Sequence, residues 1–286
     1  MKYETEKEAA IDAARKASSI ILAIYREDFK VQLKQPNDPV TDADKHANAV
    51  IVQQLSSAFP DDGIVAEESV PSPEQLSDQL VRKRIWFVDP LDGTKEFIAR
   101  NGEFAVMIGL VTGNRPVLGV VAIPTLSETV VGVIGEGAWI MDSEGNTQPV
   151  RVSARENVSE CMTLVSRSHM SPAADRLCNA LQSAGRIPCG SVGVKIARIV
   201  RQQADIYVNP PKRGGSKLWD ACAPDAVLTA AGGTVSDFSG KPINYTSTDL
   251  DLSKGYVATN GMIHNEVLRK IHYFNRESTP PSVPRS

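Results

Sequence analysis

The chain has 286 residues, which is long enough for one large domain or two packed halves. Hydrophobic residues make up 42% and charged residues 23%, a composition typical of globular proteins. A core of this size needs neither disulfides nor a structural metal. The net charge of −3 argues against nucleic-acid binding, although an acidic protein can still bind a phosphorylated ligand through metal ions. The sequence has no apolar run of the roughly 20 residues that a membrane helix needs, no signal-peptide pattern, no C-x-x-C pair among its four cysteines and no H-x-x-x-H spacing. We therefore expect a cytoplasmic protein with reduced thiols, no membrane partner and no zinc site.

The first part of the chain is predicted to be helical. Apolar and small residues recur at helical spacing over residues 6–25, which indicates an amphipathic helix. The stretch 35–39 contains two prolines and is predicted to be a loop. A second helix is expected from Thr41 or Asp42 to Phe59, since either residue can cap its first turn.

Strand patterns follow the two helices. A short strand at 64–66 ends at Glu67, and the polar stretch after it, with prolines at 71 and 73, is interpreted as a surface excursion. The next strand, 84–88, leads directly into Asp89. Further strands are predicted, between turn signals, at 104–111, 117–123, 129–134 and 138–141. Residues 1–155 are thus expected to form a helix pair packed on a mostly antiparallel sheet that carries the acidic motif.

The second part alternates between strand and helix patterns over residues 156–275, as in an α/β layer. Its predicted units lie at 163–166, 172–184, 195–202, 205–208, 220–231 and 255–259. Residues 276–286 are polar and rich in proline, which predicts a disordered tail.

Acidic residues stand where predicted strands meet loops. Asp89 and Asp92 are three positions apart on one turn, the carbonyl of Leu91 lies between them, and Glu67 ends the preceding strand. Hard divalent cations prefer such oxygen ligands, so this set could hold metal ions. The alternative is that both aspartates only cap a turn, which is the commoner role of Asp-Pro and Asp-Gly pairs.

Thr94 favours the metal interpretation. It follows Gly93, whose missing side chain lets the backbone approach a ligand, and it can begin a helix whose N–H groups suit an anionic phosphate. Metal ions beside such a helix start indicate phosphate chemistry.

At this point a family resemblance becomes visible. The segments Glu67-Glu68-Ser69, Asp89-Pro90-Leu91-Asp92-Gly93-Thr94 and Trp219-Asp220 resemble, in order and spacing, the signatures of the inositol monophosphatase superfamily. The run from Trp86 to Ile98 with Arg100-Asn101-Gly102-Glu103-Phe104, together with Ser166-Arg167-Ser168-His169 and Trp219-Asp220-Ala221-Cys222-Ala223-Pro224, is similar to the bacterial type of its 3′(2′),5′-bisphosphate nucleotidase branch. The resemblance spans about residues 5 to 260.

The resemblance implies a fold and an activity. The fold would be a layered αβαβα sandwich, of α+β or α/β class, like that of inositol monophosphatase and fructose-1,6-bisphosphatase. The activity would be magnesium-dependent hydrolysis of 3′-phosphoadenosine 5′-phosphate to AMP and phosphate, sensitive to lithium and relevant to sulfate assimilation. The implied partner is thus a phosphorylated small molecule, for a protein that is a monomer or a homodimer.

The resemblance also implies two magnesium ions and a third, weaker site. One ion would be held by Glu67, Asp89 and the Leu91 carbonyl, and a second by Asp89, Asp92 and Asp220, with Asp89 bridging. Two ions can clamp a phosphate, activate water and neutralise the leaving alkoxide. For Asp220, the alternative role is that of an N-cap for the helix predicted at 220–231.

The third ion would use Glu67 and an early aspartate. Asp44 fits that position best, and Asp42 is its rival. Thr94 would orient the attacking water, with Glu67 or Asp44 as its carboxylate partner, because a threonine hydroxyl is no base by itself. A plain N-cap is the alternative for Thr94, and the two roles can coexist.

Substrate contacts are carried over from the same resemblance. The N–H groups of Gly93 and Thr94 would bind the phosphate, and Lys195 would lie near the second phosphate of the nucleotide. The implied substrate-binding set is Glu67, Leu91, Asp92, Gly93, Thr94, Asp220, Lys195, Ser191, Arg167 and His169. For Arg167, His169 and the basic loop 212–217, solvated surface is the competing interpretation.

Two other functions remain open at this level. The same chemistry could serve inositol phosphate, fructose bisphosphate, histidinol phosphate or NADP. A non-catalytic nucleotide sensor on the same scaffold is the alternative from another class, but a sensor has no need of a water activator such as Thr94.

Overall fold

The computed structural model describes residues 2–35 and 38–278. Both predicted N-terminal helices are confirmed, as α1 (Glu4–Tyr25) and α2 (Asp42–Ala58). The loop prediction for 35–39 is wrong for its described part: strands β1 (Val31–Gln35) and β2 (Asp38–Thr41) form a two-stranded hairpin ahead of α2. Proline is tolerated there because the hairpin forms a sheet of its own and its edges need no further partner.

A seven-stranded sheet follows, with its strands side by side in chain order and all pairs antiparallel except the first. Its strands are β3 (Gly63–Ala66), β4 (Arg84–Asp92), β5 (Ala105–Thr112), β6 (Arg115–Ile123), β7 (Glu128–Val133), β8 (Gly137–Met141) and β9 (Thr147–Val150). The predicted strands are confirmed; β9, a polar edge strand, was not predicted.

The polar stretch after β3 is not a surface excursion but contains helix α3 (Pro73–Leu80). Ser72 and Gln75 form a capping box at its start, and Leu76 and Leu80 are buried. A helix is needed at this point because β3 and β4 are parallel, and parallel neighbours require a crossover connection.

The second sheet has five strands in the order β11-β10-β12-β14-β13. They are β10 (Met162–Ser166), β11 (Gly185–Cys189), β12 (Ile206–Asn209), β13 (Thr234–Ser236) and β14 (Tyr256–Thr259). The helices are α4 (Thr94–Ile98), α5 (Pro172–Ala180), α6 (Val192–Val200), α7 (Leu218–Ala230) and α8 (His264–Ser278). Elements β11, β13 and α8 were not predicted. Of the disordered tail predicted at 276–286, residues 276–278 instead belong to the end of α8, and the residues from 279 onward lie outside the described residues.

The layers follow the order helix, sheet, helix, sheet, helix, which confirms the predicted αβαβα architecture. Helices α1 and α2 pack on one face of the seven-stranded sheet. Helices α6 and α7 lie between the two sheets, and α5 and α8 cover the outer face of the second. Strand β4 is buried on both faces: Trp86 and Val88 face α1 and α2, whereas Phe87 faces α7, as the period of two requires.

Three glycines bring α7 close to the first sheet. Gly109, Gly119 and Gly132 are paired side by side across β5, β6 and β7. A Cβ on Gly119 would lie 2.3 Å from the carbonyl oxygen of Ala223, and one on Gly132 would lie 2.5 Å from the Cα of Val227. The backbone of α7 therefore occupies the space of the missing side chains, which fixes the position of the helix that carries Asp220.

Candidate active site

The end of β4 places two of the predicted acidic ligands. Asp89 pairs with Met107 and Asp92 with Ala105, so a bulge turns the strand between them. The N–H of Leu91 donates to Oδ1 of Asp89 at 3.0 Å. The bulge interrupts the regular pairing at the end of the strand, just before α4 begins at Thr94.

Glu67 and Asp220 join them from neighbouring elements. Strand β3 runs parallel to β4 with Ala66 opposite Val88, so Glu67 and Asp89 follow at the same level. Asp220 lies in the first turn of α7 and accepts a hydrogen bond of 2.8 Å from the Lys217 N–H. We call Glu67, Asp89, Asp92 and Asp220 the acidic cluster.

The carboxylates of the acidic cluster raise one another's pKa. Burial raises the pKa of Asp89 well above its usual range, and the charges of Glu67, Asp92 and Asp220 add to the shift. The pKa of Asp220 is raised by burial and then by Asp92 and Glu67, and burial likewise raises that of Glu67. Buried like charges at this density disfavour their own ionisation, and a divalent cation relieves that cost.

The donor chemistry of the cluster therefore fits magnesium, which prefers carboxylate and carbonyl oxygens. Over residues 2–35 and 38–278, no three ligating side chains already stand at the spacing of a bound ion. Asp89 and Asp220 instead interact directly, and Glu67 contacts a lysine. A bound ion would compete with these contacts for the carboxylate oxygens.

Sequence reasoning missed that lysine, Lys34. It lies on β1, and its ammonium bonds Oε1 of Glu67 at 2.8 Å and Oε1 of Glu68 at 2.5 Å. The contact raises the pKa of Lys34 against the opposing effect of burial. Only the unpredicted hairpin brings β1 over the acidic cluster, so no spacing in the sequence pointed to it.

Thr94 and Asp44 meet next to the cluster. The hydroxyl of Thr94 donates to Oδ1 of Asp44 at 2.9 Å, with the carbonyl of Leu91 at 3.3 Å. Asp44 is 1% exposed and forms a capping box with Thr41, whereas Asp42 is exposed at the first position of α2. The structure thus places Asp44, and not Asp42, beside Thr94.

The start of α6 holds Asp92. The Ser191 hydroxyl and the N–H of Gly193, at 2.9 Å, both donate to Oδ2 of Asp92. Ser191 has φ +51°, a left-handed conformation that costs a residue other than glycine about 1–3 kcal/mol. Ser191 therefore lies within the site, as predicted.

The other residues predicted to contact the substrate are Lys195, Arg167 and His169. The ammonium of Lys195 is buried, donates to the carbonyl of Ser191 at 3.1 Å and lies 5.0 Å above the Tyr207 ring. Arg167 is exposed but engaged in a two-bond pair with Glu103. His169 is exposed on the loop after β10. Their contacts with a substrate stay predictions.

Within the described part of the chain, no helix has the length and apolarity to cross a membrane.

Comparison with known proteins supports the family. The model of the inositol monophosphatase family matches residues 2–274. The chain is 35% identical over 256 residues, 88% of its own length and 98% of the relative's, to the 3′(2′),5′-bisphosphate nucleotidase CysQ of Salmonella typhimurium. Among solved structures, CysQ from Bacteroides thetaiotaomicron aligns with a TM-score of 0.76 at 30% identity, covering 90% of this chain and 98% of that one. The inositol monophosphatase TM1415 of Thermotoga maritima aligns with a TM-score of 0.78 at 27% identity, covering 93% and 96%. These findings confirm the predicted resemblance, and the chain belongs to the inositol monophosphatase family.

Proposed function

We propose that the protein is a magnesium-dependent 3′(2′),5′-bisphosphate nucleotidase that hydrolyses 3′-phosphoadenosine 5′-phosphate to AMP and phosphate. The observation that carries this proposal is the 35% identity, over nearly the whole of both chains, to a relative named as such a nucleotidase. The acidic cluster and the contact between Thr94 and Asp44 support the phosphatase chemistry.

The metal ligands we propose are the acidic cluster and the Leu91 carbonyl, with Glu67 and Asp44 for a possible third ion. Bound magnesium would supply positive charge to the phosphate and the leaving oxygen and would lower the pKa of the attacking water. The negative charges that raise the pKa of Asp89 are then balanced, so its carboxylate would be ionised at neutral pH.

The water-positioning residues we propose are Thr94 and Asp44. The Thr94 hydroxyl, held by Asp44 Oδ1, has a free lone pair with which to accept a hydrogen bond from water. The water oxygen would form the new bond to phosphorus while the bond between phosphorus and the 3′ oxygen breaks, and the proton from water would pass through the Thr94 hydroxyl to Asp44. The leaving 3′ oxygen would take up a proton from a solvent water to give the hydroxyl of AMP. Backbone N–H groups of Gly93 and Thr94 would hold the phosphate oxygens during this exchange.

Lys195 would act on the substrate indirectly, because its buried ammonium donates to the carbonyl of Ser191. Arg167 is paired with Glu103, but its side chain is still 42% exposed. We propose that Arg167 and His169 line the nucleotide side of the site. Lithium inhibition and a role in sulfate assimilation belong to the same proposal, as does a location in the cytoplasm, which suits four buried cysteines in the free thiol form.

Phosphate release tests the proposal. The purified protein is assayed with magnesium against 3′-phosphoadenosine 5′-phosphate, inositol monophosphate, fructose 1,6-bisphosphate, histidinol phosphate and NADP, each with and without lithium. We expect the highest kcat/KM for the adenosine bisphosphate and its loss on chelation of magnesium. Equal or better turnover of another substrate would overturn the nucleotide assignment.

Inositol monophosphate is the second candidate substrate. It is favoured by the structural match to the Thermotoga maritima inositol monophosphatase. A preference for it in the same assay would keep the phosphatase chemistry and replace the substrate, whereas no turnover of any compound would favour a non-catalytic sensor.

A further inference from the structure

Glu103 joins three segments that border the site. It lies in the loop between α4 and β5, outside the acidic cluster. Its Oε2 accepts from Nε of Arg167 at 2.8 Å and from the N–H of Gly190 at 2.6 Å. Its Oε1 accepts from Nη2 of Arg167 at 3.0 Å and from Nη2 of Arg198 at 3.3 Å. One carboxylate thus ties together the ends of β10 and β11 and the helix α6.

The Gly190 contact leads directly to Asp92. Gly190 precedes Ser191, the residue with a left-handed backbone whose hydroxyl donates to Asp92. Gly193, the second residue of α6, donates its N–H to the same Asp92 oxygen. A backbone in a sparsely populated conformation persists only where its surroundings fix it. Glu103 fixes the segment immediately before Ser191.

The packing around Gly93 leaves little room for the segment at Gly190 and Ser191 to move. A Cβ on Gly93 would lie 3.0 Å from the carbonyl oxygen of Glu103 and 3.3 Å from the Cβ of Ser191. The turn after Asp92, the Glu103 loop and the start of α6 are therefore in mutual contact. A shift of the Glu103 loop would be passed to the donors that hold Asp92.

The charges around Glu103 also favour a fixed position for its carboxylate. Two guanidinium groups, of Arg167 and Arg198, face a single carboxylate that is 13% exposed, and charge-assisted pairs of this kind are the stronger hydrogen bonds. Replacing the carboxylate by an amide would leave one acceptor oxygen for two cations and one backbone N–H, and it would turn an NH2 donor toward the others. The segment before Ser191 would then lose its fixed position, although the hydrophobic core beneath it is unchanged.

We propose that Glu103 is a positioning residue for the site: through Gly190 and Ser191 it orients the Asp92 carboxylate for magnesium. It touches neither metal nor substrate itself. The inference rests on the proposed function in one respect, that Asp92 binds magnesium. Partners that orient a metal ligand are typically worth about 10- to 100-fold in metal affinity.

The test compares Glu103→Gln with Glu128→Gln. Glu128 also pairs with an arginine, Arg201, which caps the C-terminal end of α6, the opposite end from the donors to Asp92. Magnesium binding is measured by isothermal titration calorimetry without substrate, and amide hydrogen exchange is measured by NMR at Gly193. We expect Glu103→Gln to raise the magnesium Kd about tenfold and to speed exchange at Gly193, whereas Glu128→Gln changes neither. Both variants should melt within a few degrees of each other.

Unchanged magnesium affinity and unchanged Gly193 exchange in Glu103→Gln would overturn the inference, as would equal effects in Glu128→Gln. If Glu103→Gln fails to fold, Glu103→Asp keeps the charge for the arginines but shortens the reach to Gly190; a Kd equal to that of the wild type would then be decisive against it. A wild type that binds magnesium but hydrolyses none of the substrates would overturn the proposed function alone. A wild type that binds no magnesium would overturn both.

Discussion

The hydroxyl of Thr94 donates a hydrogen bond of 2.9 Å to Oδ1 of Asp44, which lies 50 positions earlier in the chain. The other oxygen of Asp44 is already engaged: it accepts from the N–H of Thr41 at 2.7 Å and from the Thr41 hydroxyl at 2.6 Å. The capping box of α2 thus fixes one carboxylate oxygen and leaves the other for Thr94. A structural role and the catalytic role that we propose are combined in one side chain.

Thr94→Val tests the catalytic role, because it removes the hydroxyl and keeps the shape. We expect kcat to fall by about 100-fold or more, as is typical when a group that assists proton transfer is lost. The melting temperature should change by only a few degrees. Asp42→Asn is the matched control, since Asp42 is exposed on the same helix turn as Asp44, and its kcat should equal that of the wild type. Equal loss in both variants would contradict the placement of Asp44.

Asp92→Asn separates metal binding from folding. Asn keeps an oxygen for Ser191 and Gly193 but loses the charge, so turnover should be abolished while the fold is retained. With magnesium removed by a chelator, the free energy of unfolding of the variant should equal that of the wild type or exceed it by up to about 1 kcal/mol, because one of the buried like charges is gone. Thermal unfolding with and without magnesium measures both effects. Retained activity would show that Asp92 is not a metal ligand.

Lys34→Gln tests whether the lysine competes with the ion. The Lys34 ammonium bonds Glu67, which we propose as a magnesium ligand, and the pair must separate when the ion binds. A partly exposed ion pair is worth about 1 kcal/mol at most, so the magnesium Kd should fall by up to about fivefold. Lys45→Gln is the control, because Lys45 bonds Gln32 of the same hairpin strand and no carboxylate of the cluster. A weaker magnesium affinity in Lys34→Gln would contradict competition.

Gly119→Ala tests the close approach of α7. The new Cβ would lie 2.3 Å from the carbonyl oxygen of Ala223, a backbone atom that cannot turn away. We expect a loss of about 1–3 kcal/mol in the free energy of unfolding, the usual cost of overpacking, together with reduced kcat as Asp220 is displaced. Gly113→Asn, in the open turn between β5 and β6, is the control: nothing lies within 4 Å of its Cβ and Asn tolerates φ +57°. Chemical denaturation of both variants measures the difference.

His264 should make stability depend on pH. It is 7% exposed, its ring nitrogens lie 2.9 Å from the Ser236 hydroxyl and 3.0 Å from that of Thr259, and burial lowers its pKa from 6.5 to about 4. The unfolded chain takes up this proton first, so the contribution of His264 is complete above about pH 6.5 and is lost as pH falls toward 4. The loss amounts to about 3 kcal/mol at most.

The variant His264→Asn isolates this contribution. Asp225, whose pKa burial raises to about 6, has the opposite effect, because its contribution is present at low pH and is lost as pH rises toward 6. The difference in unfolding free energy between wild type and His264→Asn cancels that background. A difference that does not shrink between pH 6.5 and 4 would contradict a neutral, buried His264.

Most long elements could be predicted from the sequence, because helical spacing and strand alternation are local signals, whereas the five-layer order was implied by the family resemblance. Prediction failed where tertiary context decides: β11 contains Pro188 and forms at a sheet edge, and the hairpin that carries Lys34 has no strong pattern. The acidic cluster was predictable as a set of residues. The contacts around it were not: Ser191 was predicted in the site, but its bond to Asp92 spans 99 positions, and the contact of Glu103 with Gly190 spans 87.

The location of α7 has a consequence for how the site opens. Both faces of this helix are covered by sheets, so its amides can exchange with solvent only when the layers separate in global unfolding. Asp220 is therefore anchored in the slowest-exchanging unit of the protein. Lys34, by contrast, belongs to a hairpin that is a sheet of its own and can open locally without disturbing the core. Ligand entry and release would accordingly proceed from the hairpin side, on a timescale unrelated to that of unfolding.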